Sequence, residues 1–325
     1  MKSTKDEFAV RKYYLNEFQW FVMKPEGLAQ DLAQIKYPAL ILDTEFFNQS
    51  HQIDANLTPL YNEKNKSIVY VLDYALIKTK KDLTLLNKDK LIKNFRLRRR
   101  LNDENYDFQK QYTQLIHNFC HLLVKNQVAT IIVAGASNDR PILENWIKQC
   151  TSYFNRRSAP VILQPEPKLF MLDVYNSLEN NMAFANFKAD GSVFWEPKNL
   201  KPGFYGPETR QLPSLKKFFE YMSQSYPKFG FEDNADIYRL SQNALTFFTV
   251  PNFANEKTYH YLNRSVREAE HHCFNDVYKL WELLSFWQNS LKPHASSKPK
   301  LNVKQLKPKP PKKQQPQKKP EDKEK

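Results

Sequence analysis

The chain has 325 residues and a formal charge of +14, with 41 % apolar and 14 % aromatic side chains. That length and apolar content suit one large or two small folded domains and exclude a wholly disordered chain. Glycine is scarce, six in all, and only Gly27 precedes position 135; no glycine-rich phosphate loop opens the chain, which excludes the usual Rossmann and P-loop readings.

The charge is uneven. From Leu291 to Lys325 there are twelve Lys against three acids, and from Lys88 to Arg100 seven bases against one acid. The remainder is near neutral, so the chain reads as a folded body with two cationic attachments. Its three cysteines, Cys120, Cys150 and Cys273, are too few and scattered for a disulfide framework or a thiolate zinc site. The polar N-terminus has no signal-like apolar core, and no apolar run approaches the roughly 20 residues that span a membrane. A cytoplasmic protein with no membrane partner is expected.

Residues 1–36 read as a helical extension rich in aromatics, broken at Pro25-Glu26-Gly27. Ala39–Leu42 is an apolar run that fits a buried strand, and Ser67–Lys78 is a second, rich in β-branched and aromatic residues. The basic stretch falls in an insertion at 79–104 and reads as a helix carrying its bases along one face. Residues 106–126 carry apolar side chains at helical spacing, 130–134 form a third strand, and Asp139–Trp146 opens a helix with Pro141 in its first turn. Lys168–Val174 is a fourth strand, followed by helix to about Phe187. A loop-rich insertion spans 188–212. Helices are expected over 215–222, capped by Ser214, over 235–248 and over 265–290. The Lys/Pro/Gln-rich 291–325 reads as a disordered tail. The fold class is therefore α/β, with the folded domain over 37–290.

Certain carboxylates stand where a core sequence does not ordinarily spend them. Asp43-Thr44-Glu45 leaves the first buried strand with its two acids on the same side of the chain. Asp139 follows the third strand, where sites of open α/β sheets gather. On the last helix His271, His272 and Asp276 stand about one turn apart. Taken singly, each has an ordinary reading as a loop start, a helix N-terminal acid or a solvated helix residue. Together, carboxylates from three elements call for hard cations such as Mg²⁺ or Mn²⁺, and such pairs of ions suit phosphoryl chemistry.

The order and spacing of these residues resemble the DEDDh-type 3′-to-5′ exonucleases, a family that includes the proofreading epsilon subunit of DNA polymerase III and ribonuclease T. Leu40-Ile41-Leu42-Asp43-Thr44-Glu45 is similar to the family's first motif, Asp139 with Leu143 to its second, and His271 with Asp276 to its His-x4-Asp third. Gly135 and Asn138 depart from the Asn and Phe that many members carry before the second Asp. The resemblance implies a ribonuclease-H-like mixed sheet flanked by helices. It also implies an exonuclease in which Asp43, Glu45, Asp139 and Asp276 hold two Mg²⁺ or Mn²⁺ ions and His271 accepts the proton of the attacking water. Spacing alone leaves His272 open, since four residues separate it from Asp276. Thr44 and Phe46 are expected near the terminal nucleotide, and Arg96, Arg98 and Arg99 along single-stranded DNA or RNA. The rival expectation is a non-catalytic nucleic-acid-binding protein on the same scaffold.

Overall fold

The computed structural model describes residues 10–48, 51, 67–149, 170–196, 201–212, 214–230 and 235–292. The expected disordered tail from 293, and the start of the fourth strand before 170, lie outside the described residues.

The N-terminal segment is not the helical extension that its aromatics suggested. β1 (Arg11–Tyr14) and β2 (Trp20–Met23) pair as an antiparallel hairpin. Asn16 closes the turn, its side-chain oxygen accepting the Phe18 and Gln19 amides at 2.9 and 2.8 Å, an Asx device that competes with helix. Tyr13 stacks on Phe21 with ring centroids 4.9 Å apart, and the Lys12 ammonium sits 3.5 Å over the Trp20 ring. Such cross-strand pairs are what an aromatic-rich segment gains as a hairpin. Pro25 then begins a helix where a break was expected: α1 (Pro25–Ala33) takes it in its first turn, where no amide is needed.

The central sheet grows around β3 (Ala39–Asn48). β4 (Ser67–Ile77) pairs antiparallel with it, and β5 (Lys93–Arg96) antiparallel with β4. After α2 (Phe108–Lys125), β6 (Thr130–Val133) joins the other side of β3 in parallel. α3 (Ala136–Gln149) leads on, and β7 (Met171–Asp173) pairs parallel with β6, giving the order β5-β4-β3-β6-β7. α4 (Val174–Asn181) is shorter than expected because the chain turns at once into β8 (Met182–Ala185). β8 pairs with β2 and with β9 (Thr209–Arg210), completing a second sheet ordered β1-β2-β8-β9. Apart from β9, the described parts of 188–212 are irregular.

Three helices close the body: α5 (Leu215–Ser223), α6 (Ile237–Thr249) and the 35-residue α7 (Glu256–Ser290). Ser214 caps α5, its hydroxyl accepting the Lys217 amide at 3.2 Å. α7 starts nine residues before the expected Ser265, because Asn255 caps it by accepting the Thr258 amide at 2.9 Å. Both faces of the central sheet are covered, which explains its near-continuous apolar strands. Leu40 and Leu42 pack with α2, α3 and α6, whereas Ala39 and Ile41 pack with α1, α5 and the second half of α7.

The basic insertion is not a helix. It consists of 3₁₀ turns at Lys80–Thr84 and Asp89–Leu91 followed by edge strand β5. Leu97 inserts into the core, and Lys88 is buried in an ion pair with Glu282 at 2.7 Å. Apolar anchors in the segment thus override the helical pattern of its bases. No helix among the described residues is long and apolar enough to cross a membrane.

Candidate active site

The site forms where β3, the central strand, runs on past its last pairing with the parallel β6 at Ile41, so Asp43 and Glu45 lie mid-strand and not at the strand end the sequence suggested. Asp43 and Glu45 are two residues apart on β3, and alternation turns both to one face of the sheet. α7 crosses that face: the Cys273 thiol donates to the Asp43 carbonyl oxygen at 3.3 Å. From the neighbouring strand end, the first turn of α3 supplies Asp139, which accepts a hydrogen bond from the Thr44 hydroxyl at 2.7 Å. Thr44 thus ties the β3 motif to the α3 motif.

These acids feel one another. Burial pushes the Asp43 carboxyl well above the ordinary carboxylate range, and the negative charges of Asp276, Glu45 and Asp139 push it further. Asp139 is pushed up to about 6, by burial first and then by Asp173, against the opposing Thr44 hydrogen bond. Tyr175 rises to about 12, chiefly through burial, with Asp276, Asp43 and Asp173 adding to it. Asp276, Glu45 and Asp139 thus stand near enough to Asp43 for their charges to bear on it.

The histidine assignment changes. Residues four apart stand about 40° apart around an α-helix, and residues five apart about 140°. His272 accordingly faces the acids, with Nε2 4.0 Å from Glu45 and Nδ1 3.9 Å from Asp276. His271 is exposed and lines a neighbouring groove instead. The five-residue spacing of the motif fails here because α7 runs as unbroken helix through both histidines.

Other expected site residues also separate. Phe46 is half-buried against the core cluster that contains Phe47. Arg99 is buried, donating to the Phe247 and Pro251 carbonyls at 2.8 Å each and sandwiched between the Tyr106 and Phe253 rings, so it anchors the chain and does not reach substrate. Arg96 is ion-paired with Glu270. Arg98 remains exposed on the edge of the insertion.

Three further residues belong to the site and carried only faint sequence signals. Lys279, buried, donates to Asp276 at 2.8 Å; its trace was a lysine inside the apolar stripe of a helix. Asp73, the one charged residue in Ser67–Ile77, stands opposite Asp43 in the strand register, and its Oδ2 is buried with no hydrogen-bond partner among the described residues. Asp173 caps α4 and accepts the amides of Gly135, Ala136 and Tyr175 at 3.1, 3.0 and 3.0 Å. Gly135 has φ of +98°, and a Cβ there would meet the Tyr175 ring at 3.3 Å, so this turn needs glycine.

Asp173→Ala is expected to cost about 3 kcal/mol in chemical denaturation, because three amides lose a charged acceptor. The loss also loosens the turn that carries Asp139. Asp73 yields a pH signature. Its carboxyl is pushed up to about 7, by burial first and then by Glu270, against the Cys273 hydrogen bond and Arg96. A raised folded-state value means stability that is fully present below pH 4 and lost as pH rises through 7, about 4 kcal/mol by linkage. Asp73→Asn is therefore expected to raise stability at pH 8 by about 2 kcal/mol, after a cost of about 2 kcal/mol for burying an amide, and to lower it by about 1 kcal/mol at pH 4.5, where little of the linkage gain remains. Urea midpoints at the two pH values measure the difference.

The donor set fits hard divalent cations: carboxylate oxygens with more negative charge than Lys279 offsets. Among the described residues, no three His, Cys, Asp or Glu side chains stand at metal-ligand spacing around a common point, so the fit rests on donor type and charge. Comparisons of the chain with protein-family models, curated proteins and solved structures gave no match.

Proposed function

We propose that this chain is a metal-dependent 3′-to-5′ exonuclease acting on single-stranded DNA or RNA, built on a ribonuclease-H-like sheet. The observation that carries the reading is that the charges of Asp276, Glu45 and Asp139 all bear on the buried Asp43, with Thr44 tying Asp139 to the same strand. The mixed sheet, with its acid-bearing strand in the middle, supports the fold part of the reading.

Asp43, Glu45, Asp139 and Asp276 would hold the ions, which when bound supply charge compensation and a more acidic water. The protein's own groups account for the rest. Thr44 donates to Asp139 and thereby fixes its rotamer. His272, between Glu45 and Asp276, is the imidazole within reach to accept a proton from the attacking water. Lys279 orients Asp276.

A strand labelled in its 3′-terminal nucleotide tests the proposal. Release of labelled mononucleotide in Mg²⁺ or Mn²⁺, abolished by EDTA, is the expected result. A second reading, a nucleic-acid-binding protein without catalysis, is favoured by the Lys279–Asp276 ion pair, which already neutralises one acid. Retention of label on a strand that is nevertheless bound would select it.

A further inference from the structure

The basic residues expected to grip substrate are largely engaged elsewhere, and the structure offers a different cationic surface adjoining the acids. Between α6 and α7 lies a groove of about 510 Å³, lined in part by Arg239, Arg264, Arg267, Glu268, His271 and His272. His272 belongs to both places: it faces Glu45 and Asp276 on one side and lines the groove on the other. Of the arginines, Arg264 is paired with Glu268 at 2.9 Å. Arg239 and Arg267 are exposed and have no ion-pair partner among the described residues. Asp236 also lines the groove, where it caps α6 by accepting the Arg239 amide at 3.2 Å, so the lining sets three arginines against Asp236 and Glu268.

Two exposed guanidinium groups with no ion pair among the described residues attract anions, and their planar forks match phosphate oxygens. Next to Arg239, Tyr238 is 56 % exposed and stacks with His51 at a centroid distance of 4.8 Å. His51 follows the end of β3, the strand that carries Asp43 and Glu45. Tyr238 is outside the groove's lining and His51 covers one face of its ring, but as an exposed aromatic one residue from Arg239 it offers an unpaired base a surface to stack on. An acidic peptide would use the arginines and leave the aromatic face idle.

We infer that the α6–α7 groove, through Arg239 and Arg267, binds the phosphates of single-stranded nucleic acid upstream of the nucleotide at the acids, while Arg96, Arg98 and Arg99 do not. This rests on the exonuclease reading for what lies at the groove's inner end. It also gives His271 a role, as a groove residue whose ring flanks the strand.

The test is fluorescence anisotropy of a 5′-fluorescein single-stranded oligonucleotide of about 12 nucleotides, titrated with the full-length Asp43→Asn protein across a series of NaCl concentrations. Arg239→Gln and Arg267→Gln are each expected to weaken binding three- to tenfold and to lower the slope of log K against log salt by about 0.7. Arg98→Gln serves as the control, with a change below twofold. Both arginines are exposed, so thermal melts matching the parent are expected; Arg→Lys at each position retains most of the salt slope and separates charge from folding. The inference is overturned if the parent does not bind, if the double Gln variant binds with the parent's slope, or if Arg98→Gln weakens binding equally. Displacement of the oligonucleotide by polyglutamate at equal charge concentration would overturn it in favour of an acidic peptide. Arginine-dependent binding by a wild-type protein that never shortens the strand leaves the groove standing and removes the exonuclease reading. Shortening that ignores both arginines does the reverse.

Discussion

Asp43→Asn is expected to lower strand shortening by about 10³-fold or more, equivalent to about 4 kcal/mol of transition-state stabilisation, while making the protein more stable in EDTA at pH 8. The two effects have one cause. Asp43 is the carboxylate on which burial and the charges of Asp276, Glu45 and Asp139 bear together. Its ionised form is costly to fold without a cation and is the form a cation requires. Asparagine keeps the volume and removes the charge, so repulsion among the remaining acids falls while the site's affinity for divalent ions drops. The sign follows from the raised folded-state value: the penalty is absent below about pH 4 and grows as pH rises, so the gain in Tm is largest at alkaline pH. The rise in Tm that Mn²⁺ confers on the wild type should shrink in the variant. Loss of activity together with loss of stability would mean that Asp43 is an ordinary structural acid.

The second large effect separates the two histidines. His272→Ala is expected to reduce kcat by about 10²- to 10⁴-fold, the usual range for a lost general base. Its pH–rate profile should lose the limb that reports an imidazole. His271→Ala should leave kcat within about twofold and act on KM, since His271 is exposed in the groove and turned away from Glu45 and Asp276. Steady-state kinetics on one oligonucleotide measure both. The opposite pattern, with His271 controlling kcat, would require α7 to unwind at its middle during turnover.

The part of this site legible in the sequence was the part written in local terms. The Asp43-Thr44-Glu45 run, Asp139 after a strand, and Asp276 on a late helix could be read because each sets charge against an apolar element; the first strand does not end before Asp43, as its apolar run suggested, but continues to Asn48 in its pairing with β4. The central strands could be read because burial on both faces makes their apolar runs nearly continuous. What could not be read depends on tertiary packing. The N-terminal aromatics fit a helix until the Asn16 turn folds β1 onto β2 and β8 arrives to bury Trp20–Met23. The 88–100 cluster looks like a basic helix until Leu97 and Lys88 are buried and Arg99 is spent on two carbonyls. The histidine choice turned on whether α7 is regular at His271, a matter of angle that motif spacing does not carry. Lys279 and Asp73 were each a single charge in an apolar stretch, and only the fold brings them beside Asp276 and Asp43.

The most direct measurement of the central claim is the product ladder from a 5′-labelled single strand, of RNA and of DNA, incubated with the wild-type protein in Mg²⁺ or Mn²⁺. Stepwise loss of one nucleotide at a time from the 3′ end, with nucleoside 5′-monophosphate released and the ladder absent in EDTA and in Asp43→Asn, is the predicted result. Strands that stay full length with either ion at stoichiometric protein, or that are cut internally, would contradict it.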